Sequence, residues 1–338
     1  MASESADRTT LFAVGIELDG AAFHPADTLR KRVHAAENAG FTFATFDDSL
    51  APAVAVPGGR IDAVTRAAFV APRTSTLGLV PVAAPTYAEP FHLSSQLATL
   101  DYASRGRAGW LAADDPATAR AWGARELRTE DEIRRERVDS IEVARRLWDS
   151  WEDDAVVRDY AAGKFLNRDK LHYADFIGAS FAVKGPAIVP RPPQGQVVVF
   201  AYETTGSDGV DVALVSGATV PDALAAVDQA RTSGVPRVLV DIDIALVDSP
   251  PPSNSTARLH FSGSTADLTT LLTDLAARAD GVRLHPAAID EDLPALSRYV
   301  LPALLRSGLA HRPVPGSTLR ANLGLPRPVN RFAKELNR

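Results

Sequence analysis

Short apolar runs alternate along this chain with segments whose apolar positions recur every three or four residues. Leu11–Glu17, Phe41–Phe46, Thr76–Val82, Ala108–Ala113, Gln196–Tyr202, Val235–Val247 and Val282–Leu284 are short runs rich in apolar residues, and Thr76–Val82, bounded by turn residues, is too apolar to alternate. They read as buried strands of a parallel sheet. Between them lie helical patterns. Leu29, Val33 and Ala36 form one face that starts after Pro25 and stops at Gly40. Arg60–Ala71 is a second helix, and Pro90 opens a third with Leu93, Leu97 and Leu100.

Glu130–Trp151 is a long helix whose Ile133, Val138, Ile141, Ala144, Trp148 and Trp151 share one side. The spacing also predicts an apolar helix at Val210–Val215, a helix at Pro221–Thr232, one capped by Thr265 and stopped at Gly281, and a last one at Asp292–Ser307. Residues 153–193 are irregular, and Leu171–Phe176 with Ser180–Val183 suggest a hairpin excursion. About eight strand–helix pairs fit an α/β fold of the closed (β/α)₈ TIM-barrel type better than an open sheet. One barrel domain over 11–332 is expected, with tails at 1–10 and 333–338.

Composition narrows the partners. Among 338 residues, 36 Lys and Arg face 42 Asp and Glu, and the net charge of −6 leaves no basic footprint for nucleic acid. With no cysteine, thiolate metal sites and Cys nucleophiles are excluded. No apolar run is long enough to span a membrane, and MASESADRTT lacks a secretory pattern, so a cytoplasmic protein is expected.

In a barrel, chemistry gathers at the carboxyl ends of the strands. Asp47 and Asp48 end the second strand, where adjacent carboxylates serve either as helix caps or as a chemical pair. The seven histidines show no metal-ligand spacing, and His92, in a helix's first turn, reads as structural. Glu203–Gly209, after the Gln196–Tyr202 strand, is either an ordinary turn or a loop whose amides hold a phosphate.

Longer stretches carry a family likeness. RAGW after LATLDYASRG, RVDSIEVARRLWDSWEDDAVV, GKFLNRDKLHYADFIGASFAVKGPAIVPRPPQGQ, and GSTLRANLGLPRPVNRF resemble the bacterial luciferase-like flavin monooxygenases, as do AENAGFTFATFDDSL and GSTADLTTLLTDL. The likeness is to the branch of nitrilotriacetate and dibenzothiophene-sulfone monooxygenases. It implies a barrel that uses reduced FMN, delivered by a separate NAD(P)H:flavin reductase, to insert oxygen into a small organic substrate, usually as a homodimer.

The resemblance also implies roles. Asp48 would contact the flavin region, Val82 and Leu111 would line its ring, and Thr204 and Thr205 would hold its phosphate. Thr86, Tyr87, Trp110 and Tyr202 would form the substrate pocket, and no catalytic residue or metal ligand is assigned. Departures cluster in the same place. The family usually has Thr at Val82, Ser at Ala84, Asn at Leu111, Tyr at Arg135 and a Gly-Ser-Ser loop where Glu203-Thr204-Thr205 stands. The family's long insertion is shortened to about 248–258. Two alternatives follow: a degenerate, non-catalytic homologue acting as a subunit, or a relative using a deazaflavin.

Overall fold

The computed structural model describes residues 12–19, 25–48, 61–86, 88–113, 129–202, 208–246 and 258–333. Eight parallel strands form a ring in chain order: β1 (Ala13–Glu17), β2 (Phe43–Phe46), β3 (Gly78–Pro81), β4 (Gly109–Leu111), β9 (Val198–Tyr202), β10 (Val212–Val215), β11 (Arg237–Ala245) and β13 (Gly281–Pro286). The last pairs with the first, Ala13 beside Gly281, and bridges at Leu79–Ala108 and Val82–Leu111 close β3 against β4. This is the (β/α)₈ barrel expected of the alternation.

Helices α1 (Ala26–Ala39), α2 (Ala63–Val70), α3 (Pro90–Ser104), α4 (Glu130–Asp149), α5 (Val220–Thr232) and α6 (Thr265–Leu275) are followed by α7 (Ile289–Ala295), α8 (Leu301–Arg306) and α9 (Leu319–Asn322). Their local chemistry sets their ends. Pro90 occupies the first turn of α3, where Glu89 accepts from the amides of Phe91 and His92. Gly40 ends α1 at φ 94, a conformation that costs glycine little. Among the described residues no helix is long and apolar enough to cross a membrane.

Alternation along each strand divides the interior into two compartments. Outward-facing Val14, Ile16, Leu79, Trp110, Val199, Val240, Val282 and Leu284 pack beneath the helices in one large core. Inward-facing Ala13, Phe43, Val80, Val198, Phe200 and Leu239 fill the lumen near the strands' amino ends. The Phe43 and Phe200 rings meet across the barrel at 5.2 Å. Gly15 makes this possible, because a Cβ there would overlap the Phe43 ring. Leu319, Leu323 and Leu325, from α9 and the turn after it, plug that end. Arg320 anchors the plug by pairing with Asp211 at 3.1 Å, and Arg145 reaches the same carboxylate at 2.9 Å.

Several local expectations change. Val210–Val215 is not a helix: Val212–Val215 is strand β10, paired in parallel on both sides. Four consecutive apolar residues fit either period, and β-branched valines between two strands favour the sheet. Gly281 does not stop a helix but begins β13, where a Cβ would collide with the Ala13 backbone. Ser264, not Thr265, caps α6, accepting from Asp267 N. The segment expected as one last helix is α7, a π turn at Leu296–Val300, and α8.

The excursion over 153–193 holds two hairpins rather than one, β5 (Val156–Asp159) with β6 (Lys164–Leu166), and β7 (Phe176–Ile177) with β8 (Ala182–Val183). They pack on Val143 and Leu147 of α4 and on Trp151 just beyond its end. Strand β12 (Leu259–Ser262), unexpected from the sequence, adds to the far end of β11.

Candidate active site at the carboxyl mouth of the barrel

Beyond the plugged end, the lumen lining changes. On the β3, β4 and β10 side it stays apolar, with Val82, Leu111, Leu214 and, partly buried, Ala113. On the β11, β13 and β1 side it becomes ionic. Asp241 follows Leu239 by two residues, Arg283 follows Gly281 by two, His285 comes two later, and Glu17 is two beyond Gly15. Each pair keeps to the inward face of its strand.

These groups pair with one another, although His285 Nε2 is buried with no hydrogen-bond partner among the described residues. Arg283 Nε donates to Asp241 at 2.8 Å, and its Nη2 crosses the lumen to the Tyr202 hydroxyl at 3.1 Å. The same guanidinium lies 5.5 Å from the Tyr202 ring centre. His285 Nδ1 is 2.9 Å from Glu17, and Nε2 lies 3.6 Å from Asp241. Arg258 pairs with Asp243 at 2.8 Å.

Charge balance follows from that geometry. Burial pushes the Asp241 carboxyl up, but Arg283 and His285 outweigh it and hold the group far below the usual carboxylate range. Burial likewise opposes ionised Glu17, yet His285, Arg283 and Arg258 bring its pKa down to about 2. For His285, burial and the Arg283 charge disfavour the imidazolium. Asp241 and Glu17 overcome both and raise its pKa above the ordinary value. Two carboxylates thus face a guanidinium and an imidazole inside the barrel.

The residues named from the sequence separate into distinct places. Val82, Leu111 and Tyr202 come together at the mouth. Trp110 faces away from the lumen, under the helices, its indole donating to Ala83 O at 2.8 Å. Asp48 accepts from Ala63 N at 2.6 Å, at the start of α2, which is the capping use of a carboxylate. Its neighbourhood is tied by a buried Asp19–Arg66 ion pair, and Asp19 also accepts from Asp47 N at 3.1 Å. Thr86 is buried. Arg135 lies on α4 and lines a surface cleft with Asp131, Arg134 and Asp208. His92 is exposed on the first turn of α3. Tyr87, Thr204 and Thr205 lie outside the described residues, as does most of 248–258.

Glu17, Asp241, Arg283 and His285 are not evident from a search of loops. Their signal lies inside the strands, where VDIDIA and VRLHP alternate polar with apolar residues in segments otherwise fit for full burial. Thr45, beside Glu17 in the β1–β2 register, is a quieter case. Its buried hydroxyl has no hydrogen-bond partner among the described residues.

A reduced flavin is a planar group with an apolar rim at one end and a polar edge at the other. The residues present fit that description: the aliphatic side chains of Val82, Leu111 and Leu214 line one side and the hydrogen-bonding groups of Tyr202, Arg283 and His285 the other, and the Thr45 hydroxyl is buried with no partner among the described residues.

Comparison with known proteins gives the family. Residues 9–228 match the luciferase-like monooxygenase family model. One of the pristinamycin IIA synthase subunits, from Streptomyces pristinaespiralis, is 33% identical over 306 residues, 90% of this chain and 91% of that one. Component A of nitrilotriacetate monooxygenase from Aminobacter aminovorans is 39% identical over 147 residues, 43% of this chain; the shared stretch spans only 32% of that relative's length. Long-chain alkane monooxygenase superposes with a TM-score of 0.81 at 17% identity, over 93% of this chain and 95% of that structure. The chain belongs to the luciferase-like monooxygenase family.

Proposed function

We propose that this chain is the oxygenase component of a two-component flavin-dependent monooxygenase. It would receive reduced FMN from an NAD(P)H:flavin reductase and act on a small organic substrate in the cytoplasm, as a homodimer. The two-walled mouth carries this reading. Reduced flavin bound there would supply the electrons that activate dioxygen. Val82 and Leu111 would pack on the ring and keep water from it, and Tyr202, fixed by Arg283, would border its polar edge. His285 sits between Glu17 and Asp241, with Nδ1 2.9 Å from Glu17. Thr204 and Thr205 would hold the phosphate at the loop after β9.

The test is oxygen consumption by the purified chain with a flavin reductase, NADH and FMN, measured against reductase alone. Substrate-dependent oxygen uptake above the reductase background supports the reading. Uptake that this chain never changes, with any flavin or with a deazaflavin, sinks it.

One observation favours a second reading. The relative matched along nearly its whole length is named as a subunit, whereas the component A relative is matched over a third of its own length. In this reading the chain works only beside a second barrel subunit. Turnover that requires mixing with such a subunit would distinguish it from the first.

A further inference from the structure

We propose that the mouth is built for an uncharged, largely apolar substrate and rejects carboxylates. This rests on the mouth being the site, as argued above. Among the described residues each basic side chain of the ionic wall already faces a carboxylate: Arg283 meets Asp241 at 2.8 Å, His285 meets Glu17 at 2.9 Å, and Arg258 meets Asp243 at 2.8 Å. A substrate carboxylate entering here would have to displace a protein carboxylate from a buried, hydrogen-bonded pair. It would also meet Glu17, whose side chain is 24% exposed at the rim of that wall. Both effects oppose it.

Beyond Val82 and Leu111, which the ring would cover, the facing wall continues with Ala113 and Leu214, whose side chains offer methyl and methylene surface. Apolar groups gain by leaving water for such a wall, whereas a carboxylate there loses its hydration without compensation. The two walls therefore select in the same direction, by attraction on one side and by prior pairing on the other. Arg283, bound to Tyr202 across the lumen and to Asp241, supplies no uncompensated charge.

The experiment compares two ligands with one skeleton, diphenyl sulfone and its 4,4′-dicarboxylate, on the full chain with and without saturating FMN. Thermal shift and calorimetric titration give the affinities. The neutral probe is expected to bind at least about tenfold more tightly than the dicarboxylate. Equal affinities, preference for the dicarboxylate, or binding of neither probe overturns the proposal.

Asp241→Asn should release Arg283 and improve dicarboxylate affinity by about tenfold or more, leaving the neutral probe within about threefold. Because that change disturbs a buried pair, Ala113→Arg serves as a second variant. It places an unmatched cation at the partly buried edge of the apolar wall and should raise dicarboxylate affinity by about tenfold or more while weakening the neutral probe. No gain in dicarboxylate binding in a folded variant contradicts the account. The FMN arm separates the two levels of failure. Flavin binding with dicarboxylate preference removes the substrate class alone, whereas absence of any flavin binding removes the functional reading beneath it.

Discussion

The two ends of the barrel lumen are built from the same strands, two residues apart, and follow opposite rules. At the amino end, Phe43, Phe200, Val198 and Leu239 pack against the leucines of the C-terminal plug. At the carboxyl end, the next inward positions on β11 and β13 are Asp241, Arg283 and His285. The first end is a dry core that gains by burial. The second holds buried ionisable groups whose desolvation is offset only by their pairing, so it contributes little net stability. Ionic residues kept at such a place point to function at the mouth and structure at the plug.

The largest expected effect breaks the ionic end. Asp241→Asn leaves Arg283 buried without its carboxylate and is expected to cost about 3–5 kcal/mol in urea unfolding. A loss under about 1 kcal/mol would show the pair to be solvated and the contrast between the ends to be wrong.

Next comes the plug. Leu319→Ala removes buried volume beside Gly78 and Gly109 and is expected to cost about 3 kcal/mol without changing flavin affinity. A matching fall in flavin affinity would mean that the two ends are not independent.

The sign of a pH effect sharpens the comparison further. Because His285 titrates above its ordinary value in the folded chain, it binds its proton more tightly there than when unfolded. Its contribution is complete below the unfolded pKa of about 6.5 and fades as pH rises through the folded value. The stability difference between the wild-type chain and His285→Gln should therefore shrink as pH rises from about 6 upward. Leu319→Ala should show no such trend. A difference that grows with pH would contradict the paired imidazolium.

The smallest effect concerns Asp48. As the acceptor for Ala63 N, its loss in Asp48→Ala is expected to cost about 1 kcal/mol and leave flavin affinity within about twofold. A tenfold weaker affinity would instead make Asp48 a cofactor contact, the role the family resemblance implied.

Much of the barrel is legible in the sequence because buried parallel strands and amphipathic helices leave different periods. Legibility fails where the period is ambiguous, as at Val212–Val215, or the element is very short, as in the two hairpins. The site is legible only in part. Val82, Leu111 and Tyr202 reach the mouth, but Trp110 does not, because a one-residue step along a strand turns a side chain to the other face. The ionic wall escapes a reading of the loops because it lies within strands whose neighbours are apolar. Its members meet only through the closing of β13 against β1 and β11.

The most direct test of a flavin site at this mouth is an anaerobic titration of the full chain with reduced FMN, followed by flavin fluorescence, for the wild type and Leu111→Asn. The account predicts saturable binding at about micromolar Kd or better, and a changed affinity when a polar amide enters the apolar wall. No binding at about millimolar flavin by the folded chain, or an affinity indifferent to Leu111→Asn, would contradict it.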